Sequence, residues 1–356
     1  MRVSGTLIGL GFMGNMYLPL LSNIPAIQVV SLIVGLFGVV LKRLNSIASI
    51  TVRYLLLTLL SFALLSFYPL ITTNSSLGDD KILMFFYNFI FPLMSASFLI
   101  SYFTVNEQMK ILKNISIIFL CICLFRSFLG INEVLDNREF PSGYGNPIWY
   151  ARAIGVAVII VCSSVRTWNP IWLFSTATAT FLLMQSPTRS VILGLVATLL
   201  ISMLHRSRGK NTLLLLHLSL IVLLFIFGVF LNFDEVFMNR NIYSVLSRLD
   251  FYRFAVDGLL VSPFGHGVAS FGLDYFGVDE RNYPHNIFLE VGYEFGLFSL
   301  LAFFLFCLRS VFPSSGFYQR IFLFLLISAC FSGDIAGNAS VFVVGVIIIV
   351  MKKRVI

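Results

Sequence analysis

Long apolar runs follow one another along most of the chain and are separated by short polar segments. A helix needs about 20 mostly apolar residues to cross a membrane, where its backbone polar groups must be satisfied internally. The pattern predicts an all-α polytopic membrane protein with about 12 transmembrane helices, or about 11 if one short run does not cross. The predicted spans are residues 5–21, 24–41, 50–70, 82–102, 111–129, 148–165, 168–185, 191–204, 213–231, 287–311, 317–331 and 335–351.

Two polar segments, residues 131–147 and 232–284, are long enough to hold structure of their own. Within the second, residues 243–260 mix apolar and charged positions at helical spacing, which predicts an amphipathic helix at the membrane interface. No stretch has the polar content of a soluble domain. We therefore expect a single transmembrane domain over residues 1–356, with 232–284 as a large outer loop between the ninth and tenth spans.

The composition agrees with this pattern, because 58% of the residues are hydrophobic and only 11% are charged. A soluble domain carries roughly 25% charged residues. The net charge of +8 suits a membrane protein, which collects Lys and Arg on its cytoplasmic side. We expect no nucleic-acid binding, because no basic cluster is interleaved with exposed aromatic residues.

The charges also predict an orientation. With the N-terminus in the cytoplasm, alternating spans put most of the 24 basic residues inside and, of the 16 acidic residues, only Glu107. Both termini are then cytoplasmic, as the positive-inside rule favours. Arginine keeps its charge and forms bidentate pairs with phosphate or carboxylate. Apart from Lys81, the basic residues of the outer side are all arginines: Arg126, Arg138, Arg152, Arg189, Arg240, Arg248, Arg253 and Arg281.

Two of these arginines lie at predicted helix starts. Arg152 follows an Asn-Pro pair that is suited to cap and begin a helix, so it falls within the first two turns. Arg189 lies between two spans that are joined by almost no loop, and three hydroxyl residues surround it. A cation and hydroxyls at a helix start suit a phosphate. The alternative is that both arginines anchor to lipid headgroups.

The large loop adds Arg248 and Arg253 as candidate anion ligands. Arg253 and Asp257 are four residues apart, so a plain surface ion pair is the alternative there.

His285 opens the tenth span and is followed by Glu290 and Glu294 on one helical face. A carboxylate inside a span is costly and usually faces a wet cavity. A histidine at the mouth of such a cavity can serve as an acid, a base or a hydrogen-bond donor. The alternative is a histidine that caps the helix, with the glutamates paired to arginine.

The predicted cytoplasmic loops carry neither a glycine-rich phosphate motif nor a cluster of acidic metal ligands. This argues against a nucleotide-driven machine and against a metal-dependent nucleotide-sugar enzyme. We expect neither a metal nor another cofactor.

The order of these motifs resembles the bacterial O-antigen polymerase and O-antigen ligase superfamily. The resemblance covers roughly the second two-thirds of the chain. Its specificity comes from the order, spacing and shared outer placement of short pieces. These pieces are Asn146-Pro147 with Arg152, Ser186-Pro187-Thr188-Arg189, Arg248 with Arg253, Ser262-Pro263-Phe264-Gly265-His266-Gly267, His285-Asn286, and Glu290 with Glu294-Phe295-Gly296.

The resemblance implies a metal-independent glycosyltransferase of the bacterial cytoplasmic (inner) membrane, with its active site facing the periplasm or the outside. The implied donor and acceptor are undecaprenyl-pyrophosphate-linked oligosaccharides, with membrane lipids and a chain-length regulator protein as further partners. Pyrophosphate binding maps onto Arg152, Arg189 and Arg248 or Arg253. Catalytic roles map onto His285, Glu290 and Arg189.

Polymerase and ligase differ in one motif. Ligases carry a His-Asn, His-Ser or His-Gln pair, nine residues, and then a glycine-rich segment with a second Gly and a Trp. Here nine residues separate Asn286 from Gly296, but residues 297–300 lack that second Gly and Trp. The departure favours a polymerase of O-antigen, capsule or exopolysaccharide. An O-antigen ligase is the alternative.

Two rivals come from other classes. A lipid-linked oligosaccharide flippase also has about twelve helices, but it needs mid-membrane charges and similar halves, which this chain does not clearly show. An assembly protein would use its boundary arginines only as anchors.

Overall fold

The computed structural model describes residues 2–17, 33–34, 77–128, 147–164, 170–184, 189–204, 240–279, 282–311 and 316–352. Across these residues the chain is helical and contains no strand, which confirms the predicted all-α class. The helices are α1 (Arg2–Tyr17), α2 (Leu77–Tyr102), α3 (Val105–Phe128), α4 (Pro147–Ser164), α5 (Pro170–Met184), α6 (Arg189–Leu204), α7 (Arg240–Val261), α8 (Ser270–Phe276), α9 (Ile287–Val311), α10 (Phe317–Ala329) and α11 (Ala339–Lys352).

Three of these helices, α2, α3 and α9, are long and apolar enough to cross a membrane, and α4, α5, α6, α10 and α11 contain shorter apolar stretches. Each predicted span that lies on described residues coincides with a helix, and α9 has the predicted bounds. The spans predicted at 24–41, 50–70 and 213–231 lie outside the described residues, apart from residues 33–34. The count of about twelve spans therefore stays a prediction.

The large loop contains the helix that its pattern predicts, since α7 covers residues 243–260 and extends them at the N-terminal end. Helix α7 packs along α9, and the short helix α8 also contacts α9. On α7, three residues stay exposed, namely Leu249, Val256 and Leu260. Ala255 is buried in a cluster with Phe271 of α8 and Tyr293 of α9. This two-sided character is what the prediction of an amphipathic helix requires.

Polar contacts bring the first turns of α2, α4 and α9 to one end of the molecule. The segment that joins α10 to α11, residues 330–338, lies at the same end, and we call it the 330–338 turn. Asn88 of α2 donates to the carbonyl oxygen of Ala336 in this turn at 3.1 Å. Three candidate residues of the sequence lie at this end, namely Arg152, His285 and Glu290.

Small residues allow the helices to approach closely near the turn. A Cβ on Gly155 of α4 would lie 2.2 Å from the ring of Phe324, and one on Gly194 of α6 would lie 2.6 Å from Ser328 Oγ. Close contact through glycine is typical of membrane helices, where packing replaces the hydrophobic effect. Helix α10 is thus held between α4 and α6 just before the turn begins.

Candidate functional site

A backbone exchange joins the loop after α7 to the middle of α9. Helix α9 is interrupted at Gly296, where φ is 82° and ψ is 179°. The loop fills the interruption: the N–H of His266 donates to the Tyr293 carbonyl at 2.9 Å, and the N–H of Leu297 donates to the Pro263 carbonyl at 2.8 Å. Backbone groups that the break would leave open are therefore paired with the loop.

Two glycines make this contact possible. A Cβ on Gly265, which has φ 94°, would lie 2.4 Å from the Glu294 carbonyl oxygen. A Cβ on Gly296 would lie 2.5 Å from the Pro263 carbonyl oxygen. Both positions combine positive φ with direct backbone contact, which only glycine accommodates without strain. The two glycine motifs of the resemblance therefore form one structural unit.

His285 lies at the entrance to α9 in a left-handed conformation, with φ 57°. Non-glycine residues rarely adopt this conformation. Its Nδ1 atom is buried and has no hydrogen-bond partner among the described residues. The next residue caps the helix instead: Asn286 Oδ1 accepts the N–H of Phe288 at 3.0 Å and that of Leu289 at 3.3 Å. The cap is therefore Asn286 and not, as one alternative had it, His285.

Helix α7 brings a cation to this histidine. Burial and, second, the charge of Arg248 lower the pKa of His285 from 6.5 to about 4, against an opposing effect of Asp334. The ring of Phe251 stacks on the imidazole with 6.2 Å between centroids, and Tyr283 meets it edge-on at 4.6 Å. The result is a neutral imidazole beside a permanent positive charge, in an aromatic surrounding.

The two glutamates of α9 contact a lysine instead of the arginine that one alternative supposed. Lys81 Nζ of α2 donates to Glu290 Oε1 and to Glu294 Oε1, each at 2.5 Å. The three side chains, which we call the Lys81 cluster, are 6%, 0% and 0% exposed. Glu290 therefore sits beneath His285 as part of a closed ionic cluster, without direct access to solvent.

Arg152 is buried beneath the 330–338 turn, where it is 2% exposed. One guanidinium nitrogen donates to the Ser332 carbonyl at 2.5 Å and to the Ser328 carbonyl at 3.1 Å. The other donates to the Asn338 side chain. The side chain is therefore not a headgroup anchor, because it is buried and binds the turn.

The other two candidate arginines belong to α6 and α7. Arg253 is 85% exposed, and its Nε lies 3.9 Å from Asp257 Oδ2, which is the surface pair considered as the alternative. Arg189 is the first residue of α6. Five residues further on, Gly194 packs against Ser328 of α10. The start of α6 therefore lies near the 330–338 turn.

A second polar group fixes the loop onto α9. The rings of His266 and Tyr293 stack at 4.3 Å with an angle of 5° between their planes. His266 Nε2 lies 3.0 Å from the Gly258 carbonyl oxygen, and Tyr293 donates its hydroxyl to Asp274 at 2.7 Å. These contacts link α7, the loop, α8 and α9 into one surface beside His285.

Sequence reasoning missed Lys81 and Asp334 as members of this region. The position of Asp334 between two apolar runs was itself a signal, since charges within membrane helices usually have a partner or a function. The need of Glu290 and Glu294 for a cation was also visible. The sequence did not indicate which cation, because Lys81 lies 209 residues before Glu290. Within the described part of the chain, no group of three or more His, Cys, Asp or Glu is arranged to hold a metal ion.

The comparison with protein families bears on this region of the chain. Residues 174–304 match the model of the O-antigen ligase family. This match confirms the resemblance to the O-antigen polymerase and ligase superfamily. It covers most of α5, all of α6, the described part of the large loop and the first two-thirds of α9. Members of this family are glycosyltransferase-like enzymes. The match and the apolar helices together point to a membrane protein. No curated protein matches the chain.

Proposed function

We propose that the protein is a membrane glycosyltransferase that polymerises undecaprenyl-pyrophosphate-linked oligosaccharide repeat units into O-antigen or capsular polysaccharide. The observation that carries the proposal is the strained backbone of His285 and its buried Nδ1 without a partner among the described residues, at the entrance to α9 and beside helix α7, which carries Arg248. The charge of Arg248 reaches this imidazole and, with burial, lowers its pKa, so the ring is neutral at neutral pH.

The proposed division of labour follows from the chemistry of the donor. A pyrophosphate is an activated leaving group, and an enzyme must stabilise the charge that develops as it departs. Guanidinium does this while keeping its own charge. We assign this role to Arg248, helped by Arg189 at the nearby start of α6. Arg253 contributes less because it is exposed and already faces Asp257.

In the proposed reaction an acceptor hydroxyl attacks the anomeric carbon of the donor sugar. The bond from that carbon to the pyrophosphate oxygen breaks, and undecaprenyl pyrophosphate leaves with the electron pair. The hydroxyl proton passes to His285 Nδ1, which carries a lone pair in the tautomer protonated at Nε2. Because the pKa of His285 is lowered to about 4, the imidazole is neutral at neutral pH and has its lone pair available, although it is a weak base. Glu290 acts indirectly, by holding the first turns of α9 through Lys81.

The wider arrangement belongs to the same proposal. We propose an inner-membrane protein with about twelve spans, both termini in the cytoplasm, and residues 232–284 outside. The donor, the acceptor and membrane lipids are its partners, together with a chain-length regulator, and it needs no metal.

An O-antigen ligase is the second candidate, because the matching family model carries that description. A ligase would transfer the finished polymer to lipid A–core. The absence of a second Gly and of a Trp after Gly296 favours the polymerase.

Complementation of a deletion strain tests the proposal. The wild-type gene should restore a ladder of long glycans, and Arg248→Ala or His285→Ala should leave single repeat units on the acceptor. Arg253→Ala serves as the matched control on the same helix and should restore the ladder. Loss of every repeat from the core, with polymer kept on its carrier, would indicate a ligase. Repeat units trapped on the cytoplasmic side would indicate a flippase. A normal ladder from both Arg248→Ala and His285→Ala, at equal expression, would overturn the proposed site.

A further inference from the structure

The Lys81 cluster contains more negative than positive charge. Lys81 donates to one oxygen of each carboxyl group, at 2.5 Å in both cases. The other oxygens, Glu290 Oε2 and Glu294 Oε2, are buried and accept no hydrogen bond from the described residues. The backbone N–H of Ala269 approaches the Glu294 carboxyl group without completing a bond to Oε2.

The neighbouring charges do not restore the balance. Asp334 of the 330–338 turn is 2% exposed and interacts electrostatically with all three members of the cluster. Arg152, from α4, is the other buried cation that the structure describes at this end, and its two terminal nitrogens already donate to the turn. Among the described buried residues of this region, three carboxylates would then stand against two cations if every group were ionised.

Such an imbalance is costly where water is excluded. An unpaired charge in a low-dielectric region loses its hydration without compensation, and in proteins it usually neutralises instead. Two carboxyl groups that share one site commonly keep a single proton between them, because two negative charges so close repel each other. Here both carboxyl groups also contact the same ammonium, which can neutralise only one of them.

We propose that the Lys81 cluster is a proton-binding site, in which Glu290 and Glu294 together hold one exchangeable proton. One glutamate is then a carboxylate paired with Lys81, and the other is a neutral carboxylic acid. The proton cancels the excess charge and keeps the first turns of α9, which follow His285 directly, joined to α2. The inference does not depend on the reaction that the protein catalyses.

Infrared spectroscopy of the purified protein in lipid nanodiscs tests this site directly. A protonated carboxyl group has its own C=O stretching band, separate from the carboxylate bands, and the band shifts in D₂O. We expect this band in the wild type at neutral pH, and we expect Glu290→Gln or Glu294→Gln to remove it. Asp257→Asn, which changes an exposed acid of α7, is the matched control and should leave the band in place.

A second measurement uses thermal stability. Glutamine resembles a protonated glutamate, so one of the single variants should unfold near the wild-type temperature. Lys81→Met and the double Gln variant should both unfold at clearly lower temperature, because each leaves a buried charge without its partner. A wild-type spectrum without a carboxylic acid band would overturn the proposal. A carboxylic acid band that both single variants retain would overturn it as well. A band that disappears when NaCl replaces choline chloride would also overturn it, because a bound metal cation would then take the place of the proton.

Discussion

His285 combines a left-handed backbone, a buried nitrogen without a described partner, and a cation beside it. A non-glycine residue in that conformation costs about 1–3 kcal/mol and persists only where its surroundings fix it. Here Asn286 caps the helix that follows, and two aromatic rings enclose the imidazole. The strain is therefore located at the residue to which we assign the proton transfer.

The lowered pKa of His285 gives a pH dependence with a definite sign. An unfolded histidine takes up a proton near pH 6.5, whereas His285 in the folded protein does so near pH 4. Its contribution to stability is therefore complete above pH 6.5 and is lost as the pH falls towards 4, by on the order of 1–3 kcal/mol. Thermal unfolding in detergent across this range should show the loss in the wild type. The His285→Gln variant should lack that component, and identical pH slopes for both proteins would contradict the assignment.

Arg152 and Arg253 should differ sharply when substituted. Replacing Arg152 by Met removes donors from two carbonyls and one amide that stay buried, which we expect to cost about 3–5 kcal/mol. Replacing Arg253 by Ala removes an exposed ion pair worth at most about 1 kcal/mol. Unfolding temperatures at matched protein concentration measure the difference. Equal temperatures for the two variants would show that Arg152 does not hold the 330–338 turn.

At the scale of single residues, the sequence indicated which charged residues matter better than it indicated which side chains they contact. The outer arginines, His285 and Glu290 stood out because charges near membrane helices are rare. The contact between Lys81 and Glu290 was not predictable, since any of several outer cations would have met the same need. Arg152 and Arg253 were both candidate pyrophosphate ligands, with a headgroup anchor as the alternative for Arg152 and a surface ion pair as the alternative for Arg253. The packing of α4 against α10 buries Arg152, whereas Arg253 stays exposed on α7.

At the scale of elements, the interruption of α9 by the loop after α7 is the feature that most needs particular residues. Gly265→Ala and Gly296→Ala should each cost at least about 2 kcal/mol, because a left-handed alanine is strained and its Cβ meets a carbonyl oxygen. Gly277→Ala is the matched control: φ is 69° there, but nothing lies within 4 Å of the added Cβ. It should cost only about 1–2 kcal/mol. Unfolding temperatures that fall equally for all three variants would argue against the proposed importance of the backbone contact between this loop and α9.

The length of the apolar runs predicted where the described helices lie, but several of the predicted helix ends differ from those in the structure. Helix α2 starts before residue 82 because Asp79 and Asp80 stabilise its first turn without being apolar. Helix α3 starts before residue 111 because Thr104 and Glu107 form a reciprocal cap, with the Thr104 N–H donating to Glu107 at 2.9 Å. Helix α11 starts after residue 335 because the 330–338 turn wraps around Arg152. Hydropathy does not report these polar contacts.

For the whole molecule, the proposed orientation places α7 outside the cell membrane. In a variant without the five native cysteines, we expect a membrane-impermeant maleimide to label Asp250→Cys in intact spheroplasts. Lys110→Cys, which the proposed orientation places on the cytoplasmic side, should be labelled only after permeabilisation. Both positions are exposed in the structure. Labelling with the opposite pattern would put Arg248 and His285 on the wrong side for a donor that is presented outside.

The most direct test of the central claim is polymerisation by the purified protein. Reconstituted wild-type protein, supplied with an undecaprenyl-pyrophosphate-linked repeat unit and no other protein, should form longer glycans and release undecaprenyl pyrophosphate. Arg248→Ala should reduce the rate by on the order of a hundredfold or more, whereas Arg253→Ala should stay within a few fold of the wild type. Equal rates for these two variants, or no chain growth by the wild type, would contradict the account.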